Sequence, residues 1–176
     1  TGRELTIKTV LDWQRNDYTL DATLMGPLAT LTLQDGRTDL RNLLSGQVRL
    51  EAAPRNEGDF WLQNGLTLDT KLSADFAGAA RFTETVITTT DGSRFSGAGS
   101  FDFADNALGV NGDISLTPDF IKLLTSGMTP TDPLTGDVEL SGPLDLFTLK
   151  AAIETPALRN GDSALPPLRF STSSQV

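Results

Sequence analysis

Between residues 66 and 76, Leu66, Leu68, Thr70, Leu72, Ala74 and Phe76 alternate with Thr67, Asp69, Lys71, Ser73 and Asp75. A period of two sends successive side chains to opposite faces of a strand, whereas a helix would scatter the same residues around its circumference. Only a strand keeps the oily set together. At about 3.3 Å per residue it would span roughly 36 Å, the longest run in the chain and tall for a small sandwich. The same alternation marks Leu5, Ile7, Thr9, Leu11 and Trp13, then Val48, Leu50 and Ala52. It returns in a threonine-rich strand over 82–90, in Phe95, Gly97, Gly99, Phe101 and Phe103, and in Leu108, Val110, Gly112, Ile114 and Leu116.

One alternating unit occurs twice, over residues 18–33 and 134–149, so that Tyr18 answers to Leu134 at an offset of 116 residues. Both copies are broken by Leu-x-Gly-Pro-Leu, at 24–28 and 140–144. Proline donates nothing to a ladder and glycine accepts corner angles, so Gly26-Pro27 and Gly142-Pro143 predict connections between strands. Asn16-Asp17, Asp35-Gly36, Asn64-Gly65, Asp91-Gly92 and Asp105-Asn106 predict turns. The stretch around Leu40, Leu43 and Leu44 reads as one helical turn or a loop, and residues 60–62, with Trp61, as a short apolar edge. Thr117-Pro118-Asp119 has the form of a helix start, an N-cap followed by proline and an acid, and predicts a short helix over 118–126 ended by Gly127. Phe120, Ile121 and Leu124 would share its apolar side and cover an otherwise open face. Residues 156–176 read as loop or a truncated last strand.

These elements predict an all-β chain of roughly ten to twelve strands in meandering hairpins with one helix. Three architectures satisfy that pattern: a closed barrel, a two-sheet sandwich and an open, curled antiparallel sheet. An apolar-x-Gly-x-apolar-x-apolar motif at 44–50, 110–116 and 134–140 points to one strand type stacked repeatedly, which favours an elongated body. Gly97, Gly99, Gly112 and Gly136 fall on the apolar side of their strands. Two readings fit them: close approach of a neighbouring backbone, or a deliberate hollow. The 176 residues are expected to form one β-rich segment, with no leader ahead of Leu5 and no apolar run near the roughly 18 residues of a membrane span.

Composition narrows function by exclusion. There is no cysteine and no histidine, so thiolate nucleophiles, histidine bases, haem ligation and the usual zinc ligand sets are absent. The 23 acidic and 14 basic residues give a net charge of −9, with the basic ones spread singly, which disfavours nucleic acid and anionic membrane surfaces. Asp102 with Asp105, or Asp132 with Asp137, matches no calcium-loop spacing. No nucleophile elbow or phosphate loop occurs. A catalytic residue, a metal or a cofactor is therefore not expected.

The Leu-x-Gly-x-Val-x-Leu strands, the Leu-x-Gly-Pro-Leu breaks, and the runs FSGAGSFDF and LTGDVELSGPL resemble the AsmA-like family, and within it the translocation and assembly module (TamB) proteins. The helix at 118–126 departs from that plain repeat. The resemblance implies a periplasmic segment of an inner-membrane-anchored protein of a diderm bacterium, with a taco-like sheet around an apolar interior. It also implies an outer-membrane barrel partner, TamA, and a part in phospholipid transport and outer-membrane protein assembly. Alternation alone nominates the lining of such a groove: Leu68, Leu72, Phe76, Phe101, Val110, Ile114, Leu116, Val138, Leu140 and Leu149. Two other functions stay open: a sheet edge that accepts unfolded outer-membrane strands by augmentation, and an adhesin or carbohydrate-binding β domain.

Overall fold

The structure is a computed structural model that describes residues 4–12, 17–26, 28–54, 65–124, 129–130, 132–156, 158–160 and 163–175. Eight strands come first: β1 (Glu4–Asp12), β2 (Asp17–Met25), β3 (Ala29–Thr38), β4 (Leu43–Ala52), β5 (Leu66–Asp75), β6 (Ala79–Thr89), β7 (Arg94–Asp102) and β8 (Ala107–Leu116). Helix α1 (Pro118–Leu124) and a two-residue strand β9 (Thr129–Pro130) follow. The chain then forms β10 (Leu134–Pro143), β11 (Thr148–Thr155), β12 (Leu158–Asn160), β13 (Ser163–Leu165) and β14 (Leu168–Gln175).

Eleven of these strands form one antiparallel sheet in the order β1-β2-β3-β4-β5-β6-β7-β8-β10-β11-β14. The ends, β1 and β14, do not pair with each other, so the sheet curls without closing. Among the described residues the sheet is therefore not a closed barrel. β13, β12 and β9 make a separate three-stranded piece.

The register carries one set of residues across the whole sheet. Leu24 pairs with Leu31, Leu31 with Leu50, and Leu50 with Leu68. Leu68 meets Ile87, Ile87 meets Phe95, and Phe95 meets Ile114. Because partners in register project to the same side, this face is apolar from β2 to β11. The other face is polar and bears exposed ion pairs, Lys71 with Glu84 at 2.6 Å and Lys150 with Glu139 at 3.0 Å.

Several turn signals behave differently from expectation. Asp35-Gly36 lies inside β3 as a bulge opposite Gly46, with Asp35 at φ 51 and its N–H donating to Asp21 Oδ1 at 3.0 Å. A positive-φ Asp followed by Gly serves a bulge as readily as a turn. Gly142 and Pro143 belong to β10, where Pro143 pairs with Ala107, and the turn comes one step later. Proline is tolerated there because it ends the strand. The β5 run stops at Asp75, and β6, with 11 residues, is longer than β5 with 10. Residues 39–42 are a bend held by Asp39 and not a helical turn, and 156–176 contains three strands, the last pairing with β11 along its length. The expectations at Trp13, Pro27, residues 60–62, Asn64 and Gly127 fall outside the described residues.

Candidate functional site

All ten nominated groove residues lie on the apolar face or its continuation. Leu72 sits opposite Phe82, Phe101 opposite Leu108, Val110 opposite Leu140, and Leu140 opposite Leu149. Leu116 pairs with Leu134, Ile114 with Gly136, and Val138 with Ala151. Nine of the ten are half-buried. Phe76 differs: it lies just beyond β5, 54% exposed, with its ring 5.7 Å from that of Phe103. The face therefore spreads its lining over β5 to β11 rather than converging it on one spot.

Few described residues are buried on or beside this face. Among the described residues the buried apolar set is Ala74, Ala80, Phe120 and Ile121, two alanines on the sheet and two side chains from α1. A two-layer sandwich of this length would bury many leucines and phenylalanines completely. Among the described residues no large side chain is fully buried.

A row of small residues and bulges crosses the sheet at mid-strand, and the crowding of its glycines on the apolar side points to a bend toward that side. In sequence order across the sheet the row runs through Asp35 and Gly36, Gly46, Thr70, Glu84 and Thr85, Gly97 and Gly112. Cβ atoms placed on Gly97 and Gly112 would lean into each other's strand, the first reaching 2.1 Å from the Asn111 carbonyl oxygen. Gly136 is as tight, 2.3 Å from the Ala152 carbonyl oxygen. Of the two readings of these glycines, close backbone approach holds. At the middle of the row Thr70 Oγ1 meets Thr85 Oγ1 at 2.7 Å, so two hydroxyls on the oily face satisfy each other. Alternation alone gave no sign of Gly36, Gly46 or Glu84 as part of this bend. The signal is the match between bulge positions in neighbouring strands, which needs the register.

Helix α1 stands at one border of the face and packs against β9. Its N-terminus is tied to the β6–β7 turn by a knot around Ser93, which is 2% exposed. Ser93 Oγ accepts the Thr117 N–H at 2.9 Å, and Thr117 Oγ1 donates to Asp91 Oδ2 at 2.6 Å while capping the Phe120 N–H at 3.2 Å. Thr89 Oγ1 also donates to Asp91. Burial pushes the Asp91 carboxyl up, but the hydrogen bonds from Thr117, Thr89 and Ser93 together outweigh it and hold the group below the usual carboxylate range. Phe120 and Ile121, predicted on one side of the helix, are 5% and 8% exposed.

The polar face has a hollow of its own. A shallow depression of about 1260 Å³ lies over β6 to β8, β10, β11 and β14, floored by Ser96, Ala98, Ser100, Gly109 and Ala152. Its walls carry Asp137 and Glu139, with Lys150 pairing Glu139. Small side chains create this hollow, and of the nominated residues Val110, Val138 and Leu140 also belong to its lining. Among the described residues no three acids gather in a metal-holding group. Asp102, weighed as a calcium ligand, accepts the N–H groups of Ala104 and Asp105 and so shapes its own turn.

No family model, no curated protein and no solved structure matches this chain. The geometry of the face is thus the ground on which function is argued. No helix of the described residues is long and apolar enough to cross a membrane.

Proposed function

We propose that this chain holds the acyl chains of phospholipid against its apolar face, as a binding protein and not an enzyme. The observation that carries the reading is a continuous apolar sheet face on which, among the described residues, no large side chain is fully buried. Burying a methylene yields about 0.8 kcal/mol, so a chain of about 14 to 16 carbons gains roughly 11 to 13 kcal/mol on leaving water. A lining of Leu, Val, Ile and Phe without a polar anchor gives neighbouring positions similar affinity, so the chain slides while its headgroup stays in water. The AsmA-like resemblance supports a periplasmic setting, as part of an inner-membrane-anchored protein that reaches an outer-membrane barrel partner such as TamA. There it would move phospholipid between the membranes and support outer-membrane protein assembly.

The test is lipid extraction from the purified protein followed by mass spectrometry. Phospholipid should co-purify, and Leu72→Asp or Ile114→Arg should remove it while the β spectrum persists. Lipid-free protein, or retention undiminished in both variants, would overturn the reading.

A second reading has one observation in its favour. Among the described residues β1 and β14 each leave an edge unpaired, and such an edge accepts an extended strand. Photo-crosslinkers in Arg169 or Ser171 positions should then capture an unfolded outer-membrane strand, and captures made only on the apolar face would count against it. The adhesin reading calls for a fully packed core, and among the described residues no large side chain is fully buried.

A further inference from the structure

One border of the sheet, where β3 turns into β4, β5 into β6, β7 into β8 and β10 into β11, carries Leu40, Leu43, Phe76, Phe103, Leu144 and Leu146 in the open, 39% to 64% exposed. The four turns are stitched into one ledge. Phe76 N–H donates to the Asn42 carbonyl at 2.9 Å, Phe103 N–H to that of Gly78 at 3.0 Å, and Leu144 N–H to that of Asn106 at 3.0 Å. With two strands per turn and about 4.8 Å per strand, the ledge runs roughly 29 Å. It extends the apolar face, since Phe76 follows Ala74 and Phe103 follows Phe101 in the same alternation. Single exposed apolar residues are ordinary, whereas a contiguous row of them marks a contact surface.

The charges beside that row select its partner. Each turn sets an aspartate next to the exposed apolar residue: Asp39 before Leu40, Asp75 before Phe76, Asp102 before Phe103, and Asp145 between Leu144 and Leu146. Three of these carboxylates are fixed by backbone N–H groups, Asp39 by those of Arg41, Asn42 and Leu43, Asp75 by that of Ala77, and Asp102 by those of Ala104 and Asp105. Arg41 is the one basic residue among 39–43, 75–78, 102–106 and 144–147. Membrane-docking surfaces usually pair apolar side chains with lysine and arginine, which draws them to anionic lipid. Here the sign is reversed. An apolar ledge fringed with carboxylates complements a surface whose outermost charge is an ammonium.

We propose that this ledge docks on a bilayer of zwitterionic, ammonium-bearing phospholipid, setting the apolar face directly beside the acyl layer. The purpose of the contact rests on the acyl-chain reading, but binding to vesicles does not. Flotation of the whole chain with phosphatidylethanolamine and phosphatidylcholine vesicles tests it. Binding should fall at least roughly fivefold when about a third of the lipid is replaced by phosphatidylglycerol at low salt, and the difference should shrink as salt screens the charges. Leu40→Ser, Phe103→Ser and Leu146→Ser together should cut binding roughly tenfold or more. Asp39→Asn, Asp75→Asn, Asp102→Asn and Asp145→Asn together keep the turn geometry and should erase discrimination between the two vesicle types, which tests the proposal even if the triple variant fails to fold. Binding that rises with phosphatidylglycerol, binding indifferent to the triple variant, or no binding to any vesicle would overturn it. So would ledge-dependent capture of a cationic Leu/Lys amphipathic peptide in place of vesicles, which would assign the surface to a protein. Co-purified lipid measured on the same variants reports separately on the groove, so the two readings can fail independently.

Discussion

Gly97 and Gly112 face each other across β7 and β8 so closely that a Cβ on Gly97 would stand 2.7 Å from the Gly112 Cα, and one on Gly112 would stand 2.8 Å from the Gly97 Cα. Both phantom atoms project onto the apolar face, so the bend is toward that face. A methyl at either place forces two backbones apart, and overpacking of this kind costs about 1 to 3 kcal/mol. Gly109, on the polar face of the same β8 strand, would meet only Ser100 Oγ at 3.4 Å. Gly97→Ala and Gly112→Ala should lower the denaturant midpoint by that amount, while Gly109→Ala should be neutral or stabilise by about 0.5 kcal/mol. Equal losses at all three positions would remove the bend from the account.

Ser93 anchors α1 to the β6–β7 turn, and removing its hydroxyl leaves the Thr117 N–H without its partner and takes one hydrogen bond from Asp91 Oδ2, which keeps that of Thr117. Ser93→Ala should cost about 1 to 3 kcal/mol. The same knot gives α1 an acid-sensitive tie. Because the folded-state pKa of Asp91 is lowered, its contribution is present above the unfolded value of about 4 and is lost as pH falls through the lower folded value. Amide exchange at Thr117 and Phe120 should therefore accelerate, beyond the intrinsic pH effect, below about pH 4 and not between about pH 5 and 7. Flat protection down to about pH 2 would contradict this.

Leu72 reports on whether the face is open. In a closed core Leu→Ala costs about 2 to 5 kcal/mol, because a cavity is left behind. On a half-exposed face there is no cavity to create, and only part of the transfer term is lost. Leu72→Ala should cost about 1 to 1.5 kcal/mol by urea unfolding. A loss of about 4 kcal/mol would mean that something of the protein's own covers it.

Much of the sheet was legible in the chain because alternation is a local signal. The register confirms that the residues of 66–74, 95–101 and 108–116 share faces as their parity required. The helix at Thr117-Pro118-Asp119 was also legible, since capping chemistry is local. The failures have a common cause. Asp35-Gly36 and Gly142-Pro143 carry the residues of a turn, but whether such residues turn a chain or bulge it depends on the partner strand, Gly46 in one case and Ala107 in the other. The glycines stayed ambiguous for the same reason, as a hollow and a close approach differ only in what stands opposite. Phe76 continued the alternation and so looked like groove lining, yet the strand ends one residue earlier and leaves it on the rim. The ledge was invisible in sequence because its parts lie about 30 to 40 residues apart and meet only through cross-strand pairing.

The most direct measurement of the central claim is photo-crosslinking to phospholipid, residue by residue, along β8, with benzoylphenylalanine placed in turn at positions 110 to 114 except Gly112. If acyl chains lie on the apolar face, Val110 and Ile114 positions should capture lipid and Asn111 and Asp113 positions should not. Capture independent of parity, or capture confined to Asn111 and Asp113, would contradict the account.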